Sequence, residues 1–579
     1  MKKLIKALFP ILQKAIVSGR LFTGKAKLVE PIEDILPEWD IEVPVSDGST
    51  ILINVFKSKK AIAANQALPV IMCAHPYDNH LVPVLGKTPL NGVPQQYRLI
   101  DQAGTPKFSS LTSWESPDPN FWVANGYIVV NMNLPGFGGS TGQATTFGAN
   151  QSRAYYDVIE WLAEQAWCDG NVGLNGVSFL AISQYHVAAC KDYGYKAPKA
   201  LKCISPWEGI TDMYYDLANL GGIPQDGFPA FWWETEVKPA MTGDPKAFLE
   251  HHGGPPADWL VNHPYYDEFW QEKRAPVEHI DVPILTCVSF SDVGLHTNGG
   301  YRSYMDVQTQ EKWMYTHRDG KWDVYYDPEV QKLTLQFMDY YLKGKKDNGW
   351  DKTPSVRVEV RSSRDVIHEV RGEHEWPLAR TSYEKFYLTA NNQLGLDKTA
   401  EGTQLSYHGK RGEQSFRITY EKDTEITGHA KLNVWMELSE ADIQNDFNLY
   451  VILNKLDKSG NKVPFYGTVG NKEDVLTRGY MRASFRELDE EKSTDIIPVQ
   501  AFQRNQFLEK GEKVRLIVPL PPTSVFFHAG ETLELTLASY EVFQSAPMMK
   551  DNSLNQEGRH LIHMGGPYDS YVQLPVIPA

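Results

Sequence analysis

Two rhythms of apolar and polar residues divide this chain. From residue 37 to about 344, short apolar runs at 69–73, 127–131, 172–176, 200–204, 284–290 and 312–315 alternate with segments of helical spacing. Runs that are apolar at nearly every position predict strands buried on both faces, and helices between them predict a mainly parallel, doubly covered sheet. Ahead of them, 39–45 and 50–56 alternate with a period of two around Asp47-Gly48, which predicts an antiparallel hairpin. The stretch 207–274 breaks the rhythm. It looks helical, is dense in aromatics such as Trp207, Tyr214, Phe231, Trp232 and Trp259, and is long for one connection. It reads as a cap inserted over the sheet, most of whose aromatics form its own core while a few line a pocket. Asp327 as N-cap, Pro328 in the first turn and Gly344 as the stop delimit a last helix.

A polar linker at 345–353 separates the second rhythm, in which short strands follow one another without helices. Examples are 356–360, 384–388, 416–420, 430–438, 448–453, 513–518, 532–537 and 571–574, a pattern that predicts an all-β sandwich. The chain thus divides into an N-terminal segment (1–36), a sheet domain in two parts (37–206 and 281–344), a helical cap (207–280), the linker, and a β-sandwich (354–579).

In the N-terminal segment Leu4, Leu8, Ile11, Leu12 and Ile16 fall near helical spacing opposite Lys3, Lys6 and Lys14. The lysines interrupt the apolar run, so an amphipathic helix packed on the body or on a partner fits better than a signal or membrane-targeting segment. Such an arm is compatible with a homo-oligomer. No run is apolar and long enough to span a bilayer, and stable membrane association is not expected. A net charge of −15 over 579 residues argues against nucleic acid and anionic membranes as partners, although simple solubility explains it as well. The five cysteines are widely spaced without a Cys-x-x-Cys pair. Buried free thiols in a reducing compartment explain this better than disulfides or a zinc site, and a cytoplasmic location follows as the expectation.

The candidate chemistry centres on Ser178. The apolar run ending at Gly176 leads through Val177 to this serine, and a helical pattern starts at Phe179. A serine at a sharp strand-to-helix turn presents its hydroxyl at the positive end of the helix dipole, as a nucleophile attacking a carbonyl requires. The competing reading is an ordinary serine N-cap. A nucleophile on a doubly wound sheet should be followed by an acid and then a histidine at the carboxyl ends of later strands. The run 283–290 ends in Ser291-Asp292, and the run 311–316 ends on His317. In that assignment His317 takes the serine proton and Asp292 fixes the imidazole; the alternative makes Asp292 a helix cap and His317 an idle loop residue. The adjacent His251 and His252 lack metal-ligand spacing on one helix face, and the glycines at 136–139 lack a following Gly-Lys-Ser/Thr, so neither a metal nor a phosphate loop is expected.

The sequence GVSFLAISQ at 176–184 resembles the nucleophile elbow of the cocaine esterase-like and X-prolyl dipeptidyl aminopeptidase-like family of serine hydrolases, which includes α-amino-acid ester hydrolases and glutaryl acylases. The resemblance runs from about residue 38 to the end: 157–161, 167–170 and 172–173 before the elbow, 206–212 and 267–270 at the two ends of the cap, 290–292 and 313–317 around the acid and base, and 528–533 in the C-terminal domain. It implies an α/β-hydrolase domain with an inserted helical cap, followed by an all-β jelly-roll sandwich. It also implies an oxyanion hole formed by the Tyr77 hydroxyl, in the loop His75-Pro76-Tyr77-Asp78, and the Phe179 N–H. Phe179 and Ala181 stand where the family commonly has tyrosine and glycine, and Asn133-Leu134-Pro135-Gly136 loses both charges of the family's Asp-x-Arg-Gly. The expected activity is cofactor-free and metal-free hydrolysis of a small-molecule ester, or an amide, through an acyl-enzyme. Two alternatives stand beside it. An X-Pro dipeptidyl aminopeptidase, or an amide or β-lactam acylase, would use the same triad, with the cap acids Glu208, Asp212, Asp216, Asp226 and Glu234 as candidate holders of a substrate ammonium. A catalytically dead ligand-binding or carbohydrate-binding protein is the other.

Overall fold

The structure, a computed structural model, describes residues 26–85, 104–225, 227–468, 471–542, 554 and 557–578. The N-terminal stretch expected to form an amphipathic helix and Asp226 lie outside the described residues.

The apolar runs form one sheet: β1 (Ile35–Pro44), β2 (Thr50–Ser58), β3 (Leu68–His75), β4 (Ile128–Asn133), β5 (Cys168–Val177), β6 (Leu201–Trp207), β7 (Ile284–Ser289) and β8 (Lys312–His317). Its spatial order is 1-2-4-3-5-6-7-8. The β1/β2 and β2/β4 pairs are antiparallel and the remainder parallel. Alternate residues feed two cores. Val70, Met72, Val130, Leu174 and Ile204 join the core that includes Tyr155 of α1 (Ala149–Ala163) and Leu180 of α2 (Phe179–Ala188). Ile71, Val129, Cys203 and Leu285 face Phe337, Met338 and Leu342 of α4 (Pro328–Leu342). Burial on both faces explains why these strands read as unbroken apolar runs. The punctuation of α4 is also as the sequence implies: Asp327 accepts from the Glu329 and Val330 N–H groups, and Gly344 has φ +64°.

Between β6 and β7 the aromatic segment folds into short helices, with π-helical turns at Tyr214–Ala218 and Trp233–Val237. Such turns widen the helix locally and recur at functional sites. Past α4, β9 (Val356–Arg361) pairs in parallel with the edge strand β8. The chain then builds a two-layer β-sandwich. In one layer β10 (Thr424–Leu438) runs antiparallel to β12 (Lys513–Phe527), and in the other β11 (Asn448–Leu456) runs antiparallel to β13 (Thr532–Ala538). A second apolar core, with Leu432, Val451, Leu453, Leu516 and Leu535 among its members, fills the space between the layers.

Candidate active site

The parallel strands of the sheet direct their carboxyl ends to one edge, where open α/β sheets collect their ligands. At the end of β5, Ser178 adopts φ +60° and ψ −117°, a conformation that costs a non-glycine residue about 1–3 kcal/mol. The turn is held from both sides. The Ser178 N–H donates to Trp207 O (2.9 Å), and the Ser178 carbonyl accepts from the N–H groups of Ala181 (2.9 Å) and Ile182 (3.0 Å) in α2. A Cβ on Gly176 would fall 2.6 Å from Leu180 Cβ, so the glycine before the serine is what allows helix to approach strand.

The imidazole facing the serine belongs to His296: its Nε2 lies 3.0 Å from Ser178 Oγ. Its Nδ1 is hydrogen-bonded to Asp292 Oδ2, and both side chains are buried. After β7 the chain makes a helical turn in which the Leu295 and His296 N–H groups donate to Asp292 O, leading into α3 (Thr297–Asp306). Residues four apart on such a turn share a face, so acid and imidazole come from one short segment. The Asp292 N–H donates to Ser289 Oγ (3.2 Å), which anchors the turn to the strand.

Here the sequence-based assignment needs correction. Asp292 stands where expected, but His317 does not reach Ser178. At the end of β8 its Nε2 lies 2.7 Å from Glu208 Oε1, with both side chains buried. It is a close approach rather than an aligned hydrogen bond, for among the described residues neither ring nitrogen has an aligned partner. Glu208, on the residue after β6 with φ +50°, places its carboxylate in front of His317 and accepts from Ser289 Oγ (3.1 Å). His317 is therefore one carboxylate removed from the reacting end of the site. The signal that was available is the spacing Asp292-x-x-x-His296, legible only if the loop after β7 is taken as the start of a helix.

Two further charges shape the site. Lys321 Nζ lies 3.8 Å from Asp292 Oδ2 and 3.9 Å from Glu115 Oε1. Burial pushes the Glu115 carboxyl up to about 8, partly opposed by Lys321 and by the Trp322 Nε1–H that donates to it (2.9 Å). Burial, and then Lys321, hold the His296 imidazole below its ordinary range against the opposing pull of Asp292. The ligating atoms of Glu208, Asp292 and His296 lie within 4.8 Å of one another, as a metal site would need. Both nitrogens of His296 are already engaged by Ser178 and Asp292, however, leaving no lone pair for an ion.

Tyr77, Ser178, Phe179 and His296 wall one narrow cavity of about 50 Å³. Tyr77 Oη accepts from Trp232 Nε1–H of the cap (3.1 Å), and burial followed by the charges of Glu115 and Glu236 raises its phenol well above the ordinary value. Phe147 and Phe179 pack on Trp232 to form an apolar wall. Among the described residues the acids in this cavity are Glu115 and Glu236, and four of the five anticipated from the cap are engaged elsewhere. Glu208 faces His317, Asp212 accepts from Tyr266 Oη (2.7 Å), Asp216 pairs with Arg302 (2.7 Å), and Glu234 is exposed beside Lys238. The glycine-rich loop serves cap docking: the Gly138 N–H donates to Ala240 O and the Gly139 N–H to Thr242 Oγ1 (2.8 Å each).

An eight-stranded sheet of this order, with a strained serine at the end of its fifth strand and an imidazole–carboxylate pair against it, defines a serine hydrolase of the α/β-hydrolase fold carrying a C-terminal β-sandwich. Residues 47–319 match the family model for X-Pro dipeptidyl-peptidase (S15 family), and 348–573 match that for the X-Pro dipeptidyl-peptidase C-terminal non-catalytic domain. A solved CocE/NonD family hydrolase from Staphylococcus aureus is similar over 94% of both chains, with 32% identity and a TM-score of 0.84. The chain belongs to this CocE/NonD family of hydrolases. Cocaine esterase from Rhodococcus sp. is 25% identical over 415 residues, 63% of this chain and 66% of the esterase, just under two thirds of that relative's length. A solved α-amino acid ester hydrolase shares the fold (TM-score 0.69, 16% identity, 96% of this chain and 98% of that one). Among the described residues no helix is long and apolar enough to cross a membrane.

Proposed function

We propose that this enzyme hydrolyses a small carboxylic ester through an acyl-enzyme on Ser178, with His296 as general base and Asp292 as its orienting acid. The observation that carries the reading is the continuous contact from Ser178 Oγ through His296 to Asp292. As Oγ attacks the ester carbonyl, its proton passes to His296 Nε2, and Asp292 stabilises the imidazolium. The proton then moves to the departing alkoxide, which leaves as the alcohol. A water deprotonated by the same nitrogen cleaves the acyl-enzyme, releasing the acid and returning the serine.

Tyr77 and the Phe179 N–H are the oxyanion donors in this scheme. Tyr77 Oη receives its hydrogen bond from Trp232, so its own proton is available to the developing oxyanion, and its raised phenol keeps that proton in place. An ester is favoured over an amide because an alkoxide leaves more readily than an unprotonated amine. The apolar lining supplied by Phe147, Phe179 and Trp232 suits a small apolar acyl group. Five buried free cysteines support a cytoplasmic location.

A second reading draws on Glu115 and Glu236, two carboxyl groups in the same cavity that would suit a substrate ammonium, as an X-Pro dipeptidyl aminopeptidase or an amino-acyl amidase requires. The test is turnover of p-nitrophenyl acetate and butyrate beside Gly-Pro and Ala-Pro p-nitroanilides, with wild type and Ser178→Ala, together with fluorophosphonate labelling. Ester turnover and labelling, both lost in Ser178→Ala, are expected. Preferential turnover of the anilides would replace the first reading by the second. Absence of labelling would remove both.

A further inference from the structure

A second cavity lies behind the wall of the active site and shares Phe147 with it. It is wide, about 610 Å³, within the range that holds small molecules. Most charges around it are balanced: Arg153 pairs with Asp47 (3.2 Å) and Asp192 (3.1 Å), and Arg274 with Glu278 (2.7 Å). Lys273 differs. It is only 6% exposed, its Nζ sits over the rings of Phe269 (4.4 Å) and Trp259 (4.8 Å), and among the described residues it has no carboxylate within ion-pair distance. The carboxylate of the adjacent Glu272, in the same lining, acts on this ammonium without pairing with it; burial outweighs that pull and pushes Lys273 down to about 8, and the ring faces offset only part of the cost.

The neighbouring groups are donors as well. Lys273 Nζ lies 3.4 Å from His252 Nδ1. An ammonium has only protons to give, so Nδ1 accepts and the neutral ring carries its proton on Nε2. Burial, then Lys273, keep His252 in that neutral form. Yet Nε2 of His252, a side chain 5% exposed, is buried and among the described residues hydrogen-bonded to none. His186 Nε2, in the same wall, is likewise buried and without a hydrogen-bond partner among the described residues. The fifteen-residue helix α1 begins at the cavity too, and Gly148 caps it with no side-chain hydrogen bond, so its positive end faces the same space. Donors from three elements thus line the cavity, beside the carboxylates of Asp192, Glu272 and Glu278.

We propose that this cavity is a binding site for a small oxyanion, a carboxylate- or phosphate-bearing molecule held by Lys273, His252 and the N-terminus of α1. The missing partner is an acceptor by chemistry, and the cavity admits more than a bare ion by volume. The site is separate from the catalytic serine and does not depend on the reading of Ser178.

The test is calorimetric and thermal titration of the full chain with inorganic phosphate and, separately, with succinate, at ionic strength fixed with sodium chloride. Lys273→Met removes the ammonium at similar volume, and His252→Phe keeps the ring but removes the donor. Saturable binding of at least one anion is expected, weakened at least tenfold in Lys273→Met and severalfold in His252→Phe. Saturation with phosphate alone would identify a phosphate-type ligand, and with succinate alone a carboxylate. Lys273→Met should melt no lower than wild type without ligand, since it removes a buried charge that has no ion pair. Should either variant fail to fold, the other reads the same loss. The proposal falls if neither anion binds saturably beyond the chloride effect, or if both variants bind like wild type.

Discussion

At the scale of single residues, the two histidines near the carboxyl edge make opposite predictions. His296 contacts the nucleophile and His317 contacts Glu208. His296→Asn is expected to lower kcat by on the order of 10⁴-fold and to abolish fluorophosphonate labelling of Ser178. His317→Asn leaves the Ser178–His296–Asp292 contact intact but removes the ring that abuts a buried carboxylate, so labelling should persist while Tm falls. Labelling that survives in the first variant and vanishes in the second would return the base to His317. Tyr77→Phe is expected to reduce kcat by about 10²–10³-fold with little change in KM, because the donor acts on charge that exists only in the transition state; an unchanged kcat would remove Tyr77 from the mechanism. The pH profile offers a third check. The base works deprotonated, so kcat/KM rises with pH through the free-enzyme pKa of His296. The groups facing that ring are Asp292 on its own turn, Glu208 after β6, and Lys321, and of these Lys321 is the one that lowers the pKa. Lys321→Met should therefore move the acidic limb of the profile to higher pH, and a limb that stays or moves down would contradict the arrangement.

At the scale of elements, what was legible followed from burial. Strands covered on both faces carry apolar residues at nearly every position, and α4 carries its own punctuation, so both were readable from composition and spacing alone. The imidazole that faces Ser178 was not, because a strand-by-strand search looks for one residue per strand end, whereas Asp292 and His296 share a single helical turn whose existence depends on tertiary context. The acids of the cavity escaped for a related reason. Glu115 lies in an irregular segment far from the cap in sequence, and packing against Trp322, 207 residues later, is what brings it to the site. The strand–turn–helix around Ser178 was readable because glycine and serine occupy the positions where geometry leaves no alternative. A methyl group on Gly176 would lie 2.6 Å from Leu180 Cβ, so Gly176→Ala must push α2 away from β5 or leave the turn overpacked. We expect about 1–3 kcal/mol of destabilisation, read as a lower urea midpoint, with a larger proportional loss of kcat than of Tm because Ser178 moves with the helix. A variant with wild-type midpoint and turnover would show that the close approach is dispensable.

At the scale of the whole molecule, the β-sandwich helps to hold the acid loop and the cap. Thr468 of the sandwich donates to the carbonyl of Val293, the residue after Asp292, and is itself braced by Arg478 and Asp474. The cap touches the sandwich through the Tyr266 N–H on Phe502 O (3.0 Å), Tyr215 Oη on Gln500 O (2.9 Å), and the Arg482 N–H on Gly221 O (2.7 Å). Gly221 is the most demanding of these contacts: its φ is +60°, and a Cβ there would lie 1.9 Å from Tyr480 O. Gly221→Ala therefore combines a left-handed backbone, which costs a side-chain-bearing residue about 1–2 kcal/mol, with an overlap onto backbone that cannot swing aside. The strain falls on the junction rather than within either core, so the cap should loosen while the sandwich stays folded. Limited proteolysis is expected to cut the variant within 207–280 faster than wild type, and kcat/KM should fall because Trp232 and its neighbours wall the active cavity from that segment. Calorimetry should resolve an early cap transition ahead of the main one. If Gly221→Ala were cut, melted and turned over like wild type, the junction would not be what positions the cap, and the task would pass to the contacts that the glycine-rich loop makes with Ala240 and Thr242.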